Sequence, residues 1–264
     1  MGRLVDRLKA SRVFNHNLVN RDAWIRRQAE LLPAGVRVLD VGAGSCPYRP
    51  LFAHCEYRSQ DLAQLAGDQL RDGGYGRIDY VSDIAAIPVA PASFDAILCA
   101  EVLEHVPEPL AAIREFARIL KPGGKLILTA PLGSGVHQEP YHFYGGYTEF
   151  WYRRFLPAAG FRDVAVEPND GSLMFFAQES IRFVRATRPG RLGMPLVAEL
   201  VWAPVWLVLA PVLGLLVPLV GRALDRFDGE RRFTVGYHVT ATRDAATTPP
   251  PAAAPLLREE GRNR

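Results

Sequence analysis

The chain has 264 residues, 48% of them hydrophobic, and a formal net charge of +3. That is apolar mass enough for one large core plus an appendage, and too little charge to make nucleic acid an expected partner. Its three cysteines, Cys46, Cys55 and Cys99, are odd in number and lack C-x-x-C spacing, so neither a disulfide framework nor a zinc site is expected and a reducing, cytosolic setting fits.

Residues 1–33 read as a helical segment. Leu4, Val5 and Leu8, then Trp24, Ile25, Gln28, Ala29 and Leu32, recur at helical spacing. The stretch Met1 to Asn20 is basic and amphipathic and lacks the apolar core of a signal peptide. Pro33 and Gly35 end the segment. Val36, Val38, Leu39 and Val41 then predict a strand buried on both faces. It runs straight into the turn Gly42-Ala43-Gly44, where the missing side chains let a ligand approach the backbone.

A lone G-x-G is a weak signal, and two neighbours sharpen it. Asp40, two residues before Gly42, would repel a pyrophosphate and favours a cationic ligand. Position 47 is proline, so the dinucleotide fingerprint G-x-G-x-x-G is not completed. Further strands are predicted at 55–60, ending in Asp61, at 78–82, ending in Asp83, at 94–99 and at 125–130. A helix is expected at 108–120, with Leu110, Ile113, Phe116, Ala117 and Leu120 on one face, closed by a turn at Lys121-Pro122-Gly123-Gly124. Regular alternation of strands and helices argues for a parallel sheet in an open α/β fold, with ligands at the carboxyl ends of the strands. Asp40, Asp61, Asp83 and Glu101 should therefore crowd one edge.

Five motifs in order, VLDVGAGSCPYR (38–49), Asp61, SDIAAIP (82–88), FDAILCAEVLEHV (94–106) and LKPGGKLILTAP (120–131), resemble the class I S-adenosylmethionine-dependent methyltransferases of type 11. The departure is Cys46, where many members have a third glycine. The resemblance implies a Rossmann-like, seven-stranded α/β sheet with helices on both faces. It also implies S-adenosyl-L-methionine as cofactor, bound by Asp40, Gly42, Ala43, Gly44, Asp61, Leu62, Asp83, Ile84, Ala100 and Glu101. In that reading the turn packs on the methionine part and Asp40 favours its ammonium. Asp61 accepts both ribose hydroxyls, and Asp83 with Ile84 holds the adenine.

Methyl transfer to a hydroxyl needs a base, and His105 is the first candidate, His137 the second. Glu101, Glu104 and His105, at i, i+3 and i+4, share one side of a helical turn. They resemble a divalent-ion motif of some ubiquinone-pathway and small-RNA O-methyltransferases, which adds a later histidine such as His137 or His142. Many relatives carry the sequence without a metal, and no metal is expected. In the aromatic run 141–152, Tyr141 and Tyr144 are expected at a pocket for an apolar acceptor, and Phe150 and Trp151 in the core of a helix at 148–158. PYHFYGGYT (140–148) resembles a subgroup of bacterial methyltransferases linked to envelope polysaccharide and glycolipid pathways.

A sixth strand is predicted near 163–167 and a seventh at 234–241. The core would thus comprise 34–168 and a final strand within 231–243, interrupted by a helical insertion at 169–230. Residues 244–264 read as a disordered tail. Leu200 to Gly221 carries no charge, and as a helix measures about 33 Å, enough to cross a bilayer once. A single crossing would strand the last strand on the wrong side of its sheet. Arginines 182, 185, 188 and 191 before it and 222, 226, 231 and 232 after it place both flanks on the cytosolic side. Pro204, Pro211 and Pro218 should bend or break the helix. The expectation is a re-entrant hairpin or a kinked helix in one leaflet, with Trp202 and Trp206 near the headgroups. A buried hairpin or dimer interface in a soluble protein is the alternative.

The reading is a methyltransferase, peripheral or monotopic at the cytosolic face of the inner membrane, with a small-molecule or lipid-linked acceptor and O-methylation favoured. A nicotinamide-dependent oxidoreductase and a non-catalytic membrane adaptor are the competing classes.

Overall fold

The computed structural model describes residues 11–245. The helical reading of residues 1–10 and the tail reading of 246–264 fall outside them. The elements are α1 (His16–Glu30), β1 (Arg37–Val41), β2 (Glu56–Asp61), β3 (Tyr80–Val81), β4 (Phe94–Ala100), α2 (Pro109–Ile119) and β5 (Leu120–Pro131). There follow α3 (Glu149–Ala158), β6 (Phe161–Pro168), α4 (Ser172–Ala186), α5 (Leu196–Pro211), α6 (Val217–Leu224) and β7 (Gly236–Arg243). The strands form one seven-stranded sheet in the order β3-β2-β1-β4-β5-β7-β6. Placing β7 between β5 and β6 departs from the 3-2-1-4-5-6 order of dinucleotide-binding sheets.

Two compact units are distinguished, residues 25–166 with 238–245, and residues 11–24 with 167–237. In the first, β1 pairs in parallel with β2 and β4, β2 with β3, and β4 with β5. The carboxyl ends at Val41, Asp61, Val81, Ala100 and Pro131 therefore share one edge. The central strands are apolar on both faces because both are covered. Val38, Leu39 and Val41 of β1 and Ala96, Ile97, Leu98 and Cys99 of β4 are fully buried. Helix α2 presents Ala112, Ile113, Phe116 and Ala117 to the core and ends at Leu120 in an extended conformation, one residue before Lys121, which Pro122 biases away from the helical region. The expected turn at 121–124 is a bulge inside β5. Phe94 pairs with Leu120 and Ala96 with Lys125, so four residues loop out opposite Asp95, whose Oδ1 accepts from Lys121 Nζ at 2.8 Å. The third strand is shorter than the predicted 78–82 and lies at the sheet's edge.

In the second unit, α4 and the α5–α6 rod form a closed antiparallel pair. Asp225 sits just past α6, and its buried carboxylate accepts from the N–H groups of Gly171 (2.8 Å) and Met174 (3.0 Å). Asp228 accepts from Ser172 N–H at 2.7 Å, and these hydrogen bonds pull its carboxyl down to about 2. The orphan donors that open α4 are thus capped from the far end of the insertion. The rod does not break at its prolines. Val212–Leu216 is a π-helical segment, in which Val217 N–H donates to Val212. The next bond in that register would come from Pro218, which has no N–H. Ser180 Oγ donates instead to the freed Leu213 carbonyl at 2.8 Å.

Candidate active site

The site grows from the end of β1. Gly42 and Gly44 have φ of +64° and +52°, a region that suits glycine. A Cβ on Gly42 would lie 2.5 Å from a Val102 methyl, so the turn and the segment after β4 close on each other only without a side chain there. Cys46 also has a left-handed φ, +55°. A non-glycine residue therefore carries the strain of this left-handed position. Ala43 is buried, its N–H donating to the Gln60 carbonyl at 3.0 Å.

Asp61, at the end of β2, is 8% exposed. Its Oδ2 accepts from Gly44 N–H at 2.9 Å and its Oδ1 from Ala63 N–H at 2.8 Å. Both oxygens are thereby oriented, and each keeps a lone pair for a further donor. Asp40 lies beneath the turn, 2% exposed, with Tyr57 Oη donating to its Oδ2 at 2.5 Å. Burial and the nearby Asp61 charge push its carboxyl up to about 7, against the opposing pull of Tyr57 and Arg49. The guanidinium of Arg49 stacks over the Tyr57 ring, 4.5 Å from its centroid. Sequence reasoning missed Tyr57 and the buried Gln60, whose Nε2 donates to the Ser82 carbonyl at 2.6 Å. The run Ser59-Gln60-Asp61, three polar residues in a buried strand end, was the available signal.

Asp83 is exposed, and its Oδ1 accepts from Ala85 N–H at 2.8 Å, while Ile84 beside it is buried. Leu62 is 44% exposed. Ala100 and Glu101 are half-buried. Glu101 has φ +56°, and its Oε1 accepts from Thr129 Oγ1 at 2.8 Å.

On the other side of the edge, residues 134–147 are sewn to 103–107. Phe143 and Tyr144 N–H groups donate to the Glu104 carbonyl, and Tyr147 Oη to the Leu103 carbonyl at 2.7 Å. Three histidine rings gather there, with His105 to His137 at 4.8 Å, His105 to His142 at 5.6 Å and His137 to His142 at 4.6 Å. His105 Nδ1 donates to the Tyr141 carbonyl at 2.6 Å, and His137 Nδ1 to the Gly135 carbonyl at 2.9 Å. A carbonyl can only accept, so in each neutral ring the lone pair is on Nε2. Burial, with the other two histidines beside it, lowers His105 to about 4. Glu104, His105 and His137 each offer one donor atom within 4.8 Å of the others. The grouping differs from the Glu101, Glu104, His105 set that the helical spacing suggested, because Glu101 turns to Thr129. Tyr141 Oη donates to Gln64 Oε1 and Tyr144 Oη to the Pro107 carbonyl. Phe150, expected in the core, is 74% exposed; the buried aromatic of α3 is Tyr152.

Residues 39–128 match the family model of the methyltransferase domain. Over 111 residues the chain is 41% identical to a ubiquinone biosynthesis O-methyltransferase of Xanthomonas axonopodis pv. citri (strain 306), covering 38% of this chain and 45% of that protein. Over 110 residues it is 44% identical to the protein so named from Xanthomonas oryzae pv. oryzae (strain PXO99A), again 38% and 45%. The chain thus spans less than half the length of the curated relatives it matches. Haemonchus contortus phosphoethanolamine N-methyltransferase 2, solved in complex with S-adenosyl-L-methionine, shares the fold, with a TM-score of 0.50 at 15% identity over 90% of this chain and 59% of that one.

Proposed function

We propose that the chain, whose residues 39–128 match the methyltransferase-domain model, is a class I S-adenosylmethionine-dependent methyltransferase and transfers a methyl group from that cofactor to an oxygen of an apolar or lipid-linked small molecule at a membrane surface. The observation that carries the cofactor reading is the Asp61 carboxylate, oriented by the Gly44 and Ala63 N–H groups with one lone pair per oxygen left for two vicinal hydroxyls. Asp40, ionised, favours a cationic cofactor, and the left-handed glycine turn lets it approach the backbone. Ile84 would pack against an adenine face, Asp83 would accept from its exocyclic amine, and Leu62, Ala100 and Glu101 would line the remainder. The likeness to ubiquinone-pathway O-methyltransferases supports an oxygen acceptor.

Methyl transfer is an in-line attack on a sulfonium, helped mainly by alignment. His137 is exposed with its Nε2 lone pair free of the Gly135 bond, and it takes the proton from the acceptor hydroxyl. His105, held neutral by burial, orders the site and is the weaker base. In an alternative use of the same lone pairs, the one carboxylate oxygen and two imidazole nitrogens of Glu104, His105 and His137 fit a divalent cation; bound there, it would occupy His137 and would acidify an acceptor hydroxyl in place of the base. The test is a binding titration. S-adenosylmethionine should bind and nicotinamide dinucleotides should not, and Asp61→Ala should weaken the former. Unchanged affinity in Asp61→Ala, or binding of a nicotinamide dinucleotide alone, sinks the assignment.

A further inference from the structure

The α4 and α5–α6 pair has a definite inside. Trp202 Nε1 donates to the Thr187 carbonyl at 2.7 Å, and Trp206 Nε1 to the Val184 carbonyl at 3.1 Å. Ser180 meets Leu213, and Gly221 brings the rod within 3.1 Å (from an ideal Cβ) of the Leu173 carbonyl. The two indoles, expected near headgroups, are tied to α4. One face of the rod is apolar and uncovered. Leu196, Leu200, Val201, Val205, Leu207 and Val208 are each 44% to 75% exposed. At 100° per residue they sweep about 180° of α5, wider than the roughly 100° face by which a surface helix packs on protein. A fluid apolar solvent covers such an arc; a single partner helix covers a stripe.

Charge placement selects the orientation. Glu179 and Arg182 form an exposed ion pair at 3.2 Å on α4. Arg182 lies between the Ser180–Leu213 and Trp206–Val184 contacts and Glu179 one residue before the first, beside the middle of the uncharged run 200–221. A pair spanning a bilayer would sink both charges near its centre. Gln178, Arg182 and Arg185 fall on one line of α4. Arg188 and Arg191 sit at the connecting end and Arg226 at the other, where Arg222 is paired with Asp170 at 3.4 Å. We infer that this helical pair lies in the plane of one leaflet of an anionic phospholipid bilayer, the free face of α5–α6 among the acyl chains, the polar line of α4 in water and the terminal arginines on lipid phosphates. The inference deepens the membrane part of the proposed function.

Co-flotation of the full chain with phosphatidylcholine vesicles, with and without phosphatidylglycerol, tests it. The chain should float with the anionic vesicles. Arg188→Ala with Arg191→Ala should lower partitioning about thirtyfold, at about 1 kcal/mol per arginine. Leu200→Asp with Leu207→Asp, both exposed positions, should lower it at least about tenfold. A cysteine introduced by Gly190→Cys should react with an external, membrane-impermeant maleimide as fast on vesicles as in solution, above the wild-type background. No flotation with anionic vesicles, a protected Gly190→Cys thiol, or a vesicle-free dimer dissolved by the two aspartates would each overturn the inference. S-adenosylmethionine affinity measured on the same samples keeps its failure separate: a chain that binds the cofactor but not the vesicles loses only the membrane reading.

Discussion

Tyr57 Oη donates to Asp40 Oδ2 at 2.5 Å beneath the glycine turn, and so a strand-two side chain positions the acid expected to attract the cofactor's cation. Burial holds that acid near 7. Its folded-state pKa is above the unfolded value, so its contribution to stability is full at low pH and lost as pH rises from about 4 through about 7. Asp40→Asn should therefore raise the melting temperature at pH 8, by at most about 4 kcal/mol in stability, while weakening cofactor binding. Wild-type affinity should fall about tenfold from pH 8 to pH 6, as the carboxylate is neutralised, and Asp40→Asn should flatten that dependence. Calorimetric titration at the two pH values checks both.

Gly42→Ala should cost about 2–5 kcal/mol, combining the left-handed backbone with a Cβ pressed against Val102. A thermal melt reads the stability loss and a cofactor titration the accompanying loss of affinity. Val102→Ala in the same chain should recover part of both.

Much of this edge was legible. The β1 and β4 runs are apolar on both faces, so length and composition fix them. Asp61 falls at a strand end that the parallel pairing brings beside Gly44. What was not legible came from tertiary contact. The reach of Tyr57 to Asp40 joins neighbouring strands. The histidine cluster forms because the 134–147 loop folds back on Leu103–Pro107. Phe150 reads as core by its type and is exposed because α3 turns Tyr152 inward. In the insertion the three prolines predict a bend or break, but the rod is continuous, and at Pro218 a π-helical turn and the Ser180 hydroxyl make up for the missing donor.

Ser180→Ala should leave the Leu213 carbonyl without its side-chain donor and destabilise the insertion by about 1–3 kcal/mol. Hydrogen exchange should show faster opening in α4 and the rod, with the amides of β1 and β4 unchanged.

Arg243 is buried in β7, its Nε donating to the Ala117 carbonyl at 2.7 Å and its Nη1 to the carbonyls of Gly160 and Asp244. Arg243→Met should cost about 3 kcal/mol through the lost charge-assisted hydrogen bonds to the Ala117 and Gly160 carbonyls, the second of which keeps the Asp244 N–H. Urea unfolding should show a lower midpoint with an unchanged slope.

The most direct measurement supplies methyl-labelled S-adenosylmethionine and a solvent extract of bacterial membranes to the full chain, then partitions the products between organic and aqueous phases. Label in an organic-soluble methyl ether, formed on a hydroxyl of the acceptor, is predicted, abolished in Asp61→Ala and strongly reduced in His137→Ala. Tight cofactor binding with no label transferred to the organic fraction would contradict the account.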